Sequence, residues 1–187
     1  MELATNLAVA LEKFNKAVRE TSVSRLESIC QRKAFTIADQ IQQRRVKDHW
    51  MAQALVSGPD IRVIFSVHFS ARSLKKWSTK AFDKKFEDIS LLEVQDLSKE
   101  YCNLVAGHLK TMLDQNSIRV GMSLPFLSRG FDRVFSIVGP EDSQHNDLWK
   151  ISAEGVHITC STNIQIFENF KFEMKASSDD NGDVEFL

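Results

Sequence analysis

Apolar residues near the start of the chain recur at intervals of three and four, which is the period of one helix face. The first such stripe consists of Leu3, Leu7, Leu11, Phe14 and Val18. Ser24-Arg-Leu-Glu27 has the form of a capping box, so a second helix is predicted to begin there. Its stripe consists of Leu26, Ile29, Cys30, Ala34, Ile37 and Ile41.

Alternation of apolar with polar or small residues predicts a β-hairpin over 51–56 and 62–69, with turn residues at Gly58-Pro59-Asp60. Residues 70–86 then return to a helical period. The apolar stripe of that helix consists of Leu74, Trp77, Ala81 and Phe82. Its lysines fall mostly on the other side, which is typical of a solvated outer surface.

The longest helical period runs over 91–115, and Asn116 is a suitable residue for this helix to end at. An α-helix turns about 100° per residue, so its residues can be placed on a wheel with Glu100 at zero. The apolar arc covers roughly 40° to 200° of that wheel and can pack on a core. This arc consists of Leu104, Leu97, His108, Tyr101, Val94, Met112, Val105, Leu109 and Cys102. Glu100 shares the other side with Asn103, Gly107, Lys99, Lys110, Asp96, Asp114 and Thr111.

Later strands are predicted over 118–124, 133–138, 149–153, 156–160 and 164–174. Pro125 interrupts this pattern, and 139–147 is polar and turn-rich. Helices on a largely antiparallel, mixed sheet make this an α+β chain. We divide it into a helical N-terminal segment at 1–43, one domain at 44–175 and an acidic tail at 176–187, whose composition predicts disorder.

A chain of 187 residues with 43% hydrophobic content is long enough for one domain with a sizeable core. Its formal net charge of −1 provides no basic field for nucleic acid. The cysteines are widely spaced without a Cys-x-x-Cys pair, so neither a disulfide framework nor a zinc site is expected. The N-terminus lacks the form of a signal peptide and no apolar run approaches about 18 residues. We therefore expect a cytoplasmic protein with no membrane span.

Signatures of the commonest self-contained active sites are absent from the sequence. It contains no Gly-x-x-x-x-Gly-Lys phosphate loop, no Gly-x-Gly-x-x-Gly, no His-Glu-x-x-His and no Gly-x-Ser-x-Gly elbow. The histidines are scattered, with no neighbours at metal-ligand spacing, so we predict no metal on this chain. His108 lies in the apolar arc and is interpreted as a structural histidine. Cys102, at the edge of that arc, is interpreted as a packed thiol.

The polar side of the long helix is the most informative feature. Glu100, Asn103 and Gly107 place a carboxylate, an amide and a glycine where the helix meets solvent. Glycine costs a helix about 1 kcal/mol relative to alanine and packs no side chain, so its remaining benefit is the close approach of another molecule. Plain solvated surface is the alternative interpretation.

The spacing Glu-x-x-Asn occurs a second time, at Glu12 and Asn15. Arg19 stands in this copy where the later one has Gly107. Since it also lacks a matching strand context, we interpret the first copy as a coincidence rather than a second site.

In the order of these elements the chain resembles the CheX and CheC family of chemotaxis phosphatases, and CheX most of all. The resemblance covers roughly residues 46–130: a strand at 62–69 followed by a helix, then Glu100-x-x-Asn103-x-x-x-Gly107, then Ser123-Leu124-Pro125 on the next strand. It implies the α/β sandwich of that family. Residues 1–43, the 139–147 segment and the acidic tail are unlike CheX.

The resemblance implies a substrate that is itself a protein, the phosphorylated aspartate of a CheY-like response regulator. Glu100 would bind the regulator and Asn103 would be the catalytic amide, with Lys99, Gly107 and Lys110 on the partner-binding surface. No cofactor is expected on this chain, because the regulator would carry the Mg²⁺. A homodimer is also implied.

Two other functions remain open from the sequence. A noncatalytic module with the same fold would bind a regulator and merely sequester it. A structural dimerisation domain would use the polar residues of the long helix only as surface.

Overall fold

The computed structural model describes residues 2–39, 50–129 and 144–167, with side chains from residue 7 onward. The helices are α1 (Glu2–Ile29), α2 (Ala71–Phe82) and α3 (Leu91–Gln115), with one 3₁₀ turn at Phe86–Asp88. The strands are β1 (Thr36–Asp39), β2 (Trp50–Ser57), β3 (Ile61–Phe69), β4 (Gly121–Met122), β5 (Phe126–Arg129), β6 (Gln144–Ala153) and β7 (Val156–Ile166).

These strands form one 7-stranded sheet in the order β1-β6-β7-β3-β2-β4, with β5 also paired to β2. All of the pairings are antiparallel. Alternate residues of β3 such as Val63, Phe65 and Val67 lie in the core, as do their neighbours Ile164 and Cys160 on β7. The predicted α+β class with a largely antiparallel sheet is therefore confirmed.

The helix α3 has the bounds that its apolar period predicts. Ser90 starts it with a capping box, in which its hydroxyl accepts from the Glu93 amide while the Glu93 carboxylate accepts from the Ser90 amide. The hydrogen bond from the Lys84 ammonium, and next those from Ser90, lower the pKa of Glu93 to about 2. Asn116 caps the other end. The hairpin of β2 and β3 is likewise confirmed, and so is the helix after it, which ends at Phe82 rather than at residue 86.

The second N-terminal helix is a wrong prediction. Ser24 and Glu27 lie inside α1, which runs on to Ile29. Residues 36–39 instead form β1, which pairs along β6 and is exposed at every position. The spacing of Ala34, Ile37 and Ile41 is too short a pattern to distinguish a helix turn from an edge strand, and pairing with β6 decides between them.

Three other details differ from the predicted strands. Only Gly121–Met122 of the segment 118–124 is strand. The two predicted strands from residue 156 to 174 are one strand as far as Ile166. Residues 144–147 begin β6 rather than belonging to a loop. The predicted boundaries after residues 43 and 175, the strand at 133–138 and the tail at 176–187 lie outside the described residues.

Candidate functional site

Three buried side chains fix the rotation of α3 about its axis. Tyr101, Val105 and Leu109 lie in the core. The Tyr101 hydroxyl donates a hydrogen bond of 3.0 Å to the Ser22 carbonyl on α1, and its ring meets the Phe65 ring edge-on at 5.9 Å between centroids. Burial raises the pKa of Tyr101 well above its ordinary value, so the hydroxyl remains a donor. Rotating α3 would break these contacts, and its polar side is therefore held outward.

Glu100 is exposed on this outward side and Asn103 is half-buried beside it. Within the described part of the chain, neither side chain has a hydrogen-bond partner. Gly107 lies one helical turn beyond Asn103, and a Cβ added there would meet nothing within 4 Å. By contrast, a Cβ on Gly58 would lie 2.3 Å from the Arg119 carbonyl oxygen. The fold requires glycine at position 58 but not at position 107.

The two lysines on the same side of α3 are both paired within the helix. Lys99 Nζ lies 2.7 Å from the Asp96 carboxylate, and Lys110 Nζ lies 2.5 Å from the Asp114 carboxylate. The resemblance implies both lysines on the partner-binding surface but not these ion pairs with Asp96 and Asp114. The spacings of three and four residues are the signal that predicts these pairs. Exposed pairs of this kind contribute about 0–1 kcal/mol, so either lysine could exchange its partner at small cost.

The first copy of the pattern, on α1, has different surroundings. Glu12 is exposed, but Asn15 is half-buried and its Oδ1 is shielded from solvent without a hydrogen-bond partner among the described residues. Arg19 is held by Asp147, with Nε–Oδ2 and Nη2–Oδ1 distances of 2.7 and 2.5 Å, and by Asp39. Thus a fixed guanidinium stands on α1 where α3 offers open space.

A groove of about 1160 Å³ runs between α1 and the edge of the sheet, along β1 and the start of β6. Glu100 and Asn103 on α3 do not line this groove. In the described ranges, no three His, Cys, Asp or Glu side chains are grouped so that they could hold a metal ion. No helix of the described residues is long and apolar enough to cross a bilayer.

Cys102 and His108 lie where the sequence predicts them. Cys102 is fully buried, and burial together with the neighbouring Cys160 raises the pKa of its thiol well above the ordinary value. A packed, protonated thiol is not a nucleophile. His108 is half-buried; burial, and next the charge of Arg25 on α1, lower its pKa.

The lowered pKa of His108 makes folding sensitive to pH. In the unfolded chain a histidine takes up a proton near pH 6.5, but in the folded chain it does so only at lower pH. We expect the free energy of unfolding to fall as the pH drops through 6.5 and below, and His108→Gln to flatten that slope. Urea unfolding at several pH values measures this, with His157→Gln at an exposed position as the control. Equal slopes for wild type and His108→Gln would contradict the prediction.

No family model and no curated protein matches this sequence. Solved structures do match its fold. CheX from Vibrio vulnificus superposes with a TM-score of 0.63 at 13% identity, over 82% of this chain and 99% of that one. A CheC-like superfamily protein from Shewanella sp. PV-4 gives 0.60 at 16% identity, over 81% and 97%.

The third similar structure was solved as a complex. It is CheX from Borrelia burgdorferi with CheY, BeF₃ and Mg²⁺, and its TM-score is 0.62 at 14% identity, over 83% of this chain and 98% of that one. All three matches cover more than four fifths of this chain. The chain therefore has the CheX and CheC fold, which confirms the sequence resemblance at the level of the fold.

Proposed function

We propose that this chain hydrolyses the aspartyl phosphate of a CheY-like response regulator by placing the exposed side of α3 in the regulator's active site. One observation carries the proposal. Glu100 and Asn103 project from a helix whose other side is packed, and neither has a partner of its own in the described residues. Polar groups that a packed helix directs outward, without internal partners, are available to complete a site on another molecule.

The shape of the surface favours a protein as substrate. A small molecule is normally enclosed by a concave pocket, whereas Glu100 and Asn103 lie on the outward side of a helix and do not line the groove beside α1. Such a helix fits a cleft in a partner. The similar CheX from Borrelia burgdorferi was solved in complex with CheY, which supports a partner of that class for this chain.

Glu100 supplies a negative charge for binding. A solvated glutamate is ionised at neutral pH, so it can accept a hydrogen bond from a lysine at the regulator's phosphorylation site. A hydrogen bond to a charged group contributes about 1.5–3 kcal/mol. The contact would align α3 with the phosphoryl group.

Asn103 supplies the catalytic amide. It takes up no proton near neutral pH, but its oxygen accepts and its NH₂ donates, so it can hold a water molecule in a fixed orientation. That water attacks phosphorus in line with the aspartyl oxygen; its oxygen forms the new P–O bond, the bond to aspartate breaks, and inorganic phosphate carries away the protons. Phosphoryl transfer of this kind depends on positioning and charge stabilisation more than on covalent chemistry from the protein. The Mg²⁺ of the regulator would neutralise charge on the phosphoryl oxygens.

Gly107 would allow the regulator's backbone to approach α3. We expect Gly107→Ala to stabilise the fold by about 1 kcal/mol, because alanine favours the helix and its Cβ meets nothing within 4 Å. The same methyl group would stand between the two proteins and weaken regulator binding. Thermal unfolding and calorimetric titration measure the two effects. A variant that is more stable and binds as tightly as wild type would remove Gly107 from the interface.

The test of the proposed function is turnover. A CheY-like regulator is phosphorylated with a small phosphodonor, the donor is removed, and phosphate release is followed with this protein at about one hundredth of the regulator concentration. An enzyme dephosphorylates the whole pool of phosphorylated regulator. A sequestering module changes the decay of at most as many regulator molecules as there are molecules of this protein. A pool that decays at its own spontaneous rate, for every CheY-like regulator offered, would overturn the proposal.

A further inference from the structure

The segment made of β4 and β5, which pairs along the outer edge of β2, contains a β-bulge beside α3. Val56 pairs with Met122, and Gln53 pairs with Phe126. The three residue steps from Val56 to Gln53 on β2 are therefore matched by four residue steps, from Met122 to Phe126, on the opposite segment. Ser123 still pairs with Leu55, through its amide at 2.8 Å and its hydroxyl at 3.0 Å. The extra residue therefore falls at Leu124 and Pro125. Bulges turn side chains out of a sheet and are frequent next to functional sites.

The bulge leaves apolar side chains in solvent. Leu124 is 88% exposed, the largest value among the exposed large hydrophobic residues of the described ranges. Met122 is 39% exposed. Directly opposite residues of an antiparallel pair share a face, and Val56 points into the core, so Met122 lies on the side of the sheet that carries the helices. We call Leu124 and Met122 together the bulge surface.

The bulge surface lies on the same flank of α3 as Asn103. Tyr101 and His108, which face Ser22 and Arg25 of α1, stand at about 100° and 80° on the wheel with Glu100 at zero. Asn103 stands at about 300°, on the flank turned away from α1. In the sheet order, β6, which α1 contacts, lies on one side of the central strands β7, β3 and β2, and β4 lies on the other side. The helix α3 contacts β2, β4 and β5. The flank with Asn103 therefore lies on the side of α3 toward β4 and β5 and away from α1.

The bulge lies in the segment that follows α3. The chain leaves α3 at Gln115, and the helix contacts both β4 and β5, which flank the bulge. The bulge therefore lies at the edge of the sheet beside α3.

We infer that Leu124 and Met122 form the apolar part of the surface that docks the CheY-like regulator. This inference rests on the proposed function, because the occupant is the same partner. Glu100 supplies a charged contact, and protein interfaces also draw affinity from a few buried anchor side chains surrounded by a polar rim. The bulge surface continues the exposed side of α3 and adds apolar area to that of Leu92, which is 64% exposed on the same side of the helix.

The test uses Leu124→Ser with Val9→Ser as the matched control. Val9 is an apolar residue of α1 that is 46% exposed and lies far along the chain from the bulge. Binding to a CheY-like regulator loaded with BeF₃ and Mg²⁺ is measured by calorimetry, and turnover is measured with the phosphorylated regulator. We expect Leu124→Ser to raise Kd and KM at least tenfold and to leave kcat within twofold of wild type. Val9→Ser should leave Kd, KM and kcat unchanged.

Two results would overturn the inference. One is unchanged Kd and KM for Leu124→Ser while wild type binds and turns over normally. The other is a shift in sedimentation from dimer to monomer with unchanged Kd, which would assign the bulge surface to a second copy of this chain. A wild type without turnover on any regulator contradicts the proposed function itself, so the two failures are distinguishable.

Discussion

Replacing Asn103 with alanine is expected to lower stimulated dephosphorylation by about 10²–10³-fold, the usual cost of removing one preorganised polar group from a transition state. The physical reason is that alanine can neither accept from nor donate to the attacking water. Glu100 keeps its charge in this variant, so we expect regulator affinity to stay within a few-fold of wild type. Single-turnover decay of the phosphorylated regulator with saturating protein separates the two quantities.

Asn15 provides the matched control for this experiment. Asn15→Ala removes the same amide from the same Glu-x-x-Asn spacing on α1, where Arg19 is held by Asp147. We expect wild-type rates from Asn15→Ala. Wild-type rates from Asn103→Ala would refute the catalytic assignment, and a loss in Asn15→Ala alone would move the site to α1.

The long helix could be predicted because local and tertiary signals agree there. Its apolar residues keep one period over the whole of Leu91–Gln115, and Ser90 with Glu93 marks its start. The same period determines which side is packed, so the outward position of Glu100 followed from the sequence alone. The exposure seen in the structure agrees with it.

The N-terminal region could not be predicted in the same way. Ser24 and Glu27 have the spacing of a capping box, but inside a continuing helix their side chains do not start a new one. The strand Thr36–Asp39 has only four residues, all exposed, and its pairing partner Trp149–Ser152 lies more than a hundred positions later. The pairing that makes these four residues a strand is a tertiary contact, and local periodicity does not reveal it.

The candidate site shows the same limit. The wheel placed Glu100, Asn103 and Gly107 on one side of α3, but it could not show that Leu124 is exposed at the neighbouring edge of the sheet. The bulge depends on the register between β2 and two short strands that follow α3. A shift of one residue in that register would change which side chains are exposed, and the sequence of 118–126 does not determine it.

Glu100→Lys is expected to abolish most regulator binding, in contrast to Asn103→Ala. The substitution removes a charged hydrogen bond and sets two cations against each other, so the loss should exceed the roughly 10- to 150-fold that corresponds to about 1.5–3 kcal/mol. Folding should be unaffected, because Glu100 is exposed and lysine is as good a helix former as glutamate.

Ionic strength separates this charge effect from a steric one. Salt screens exposed charges, so raising it from about 0.05 to 0.5 M should weaken wild-type binding and strengthen binding of Glu100→Lys until the two affinities approach each other. The control is Glu12→Lys, which makes the same charge change at the exposed acid of α1 and should bind like wild type. Equal affinities for wild type and Glu100→Lys at low salt would mean that Glu100 faces no cation. In that case the exposed carboxylate would be surface alone, and the docking of α3 would have to depend on Asn103, Gly107 and the bulge surface.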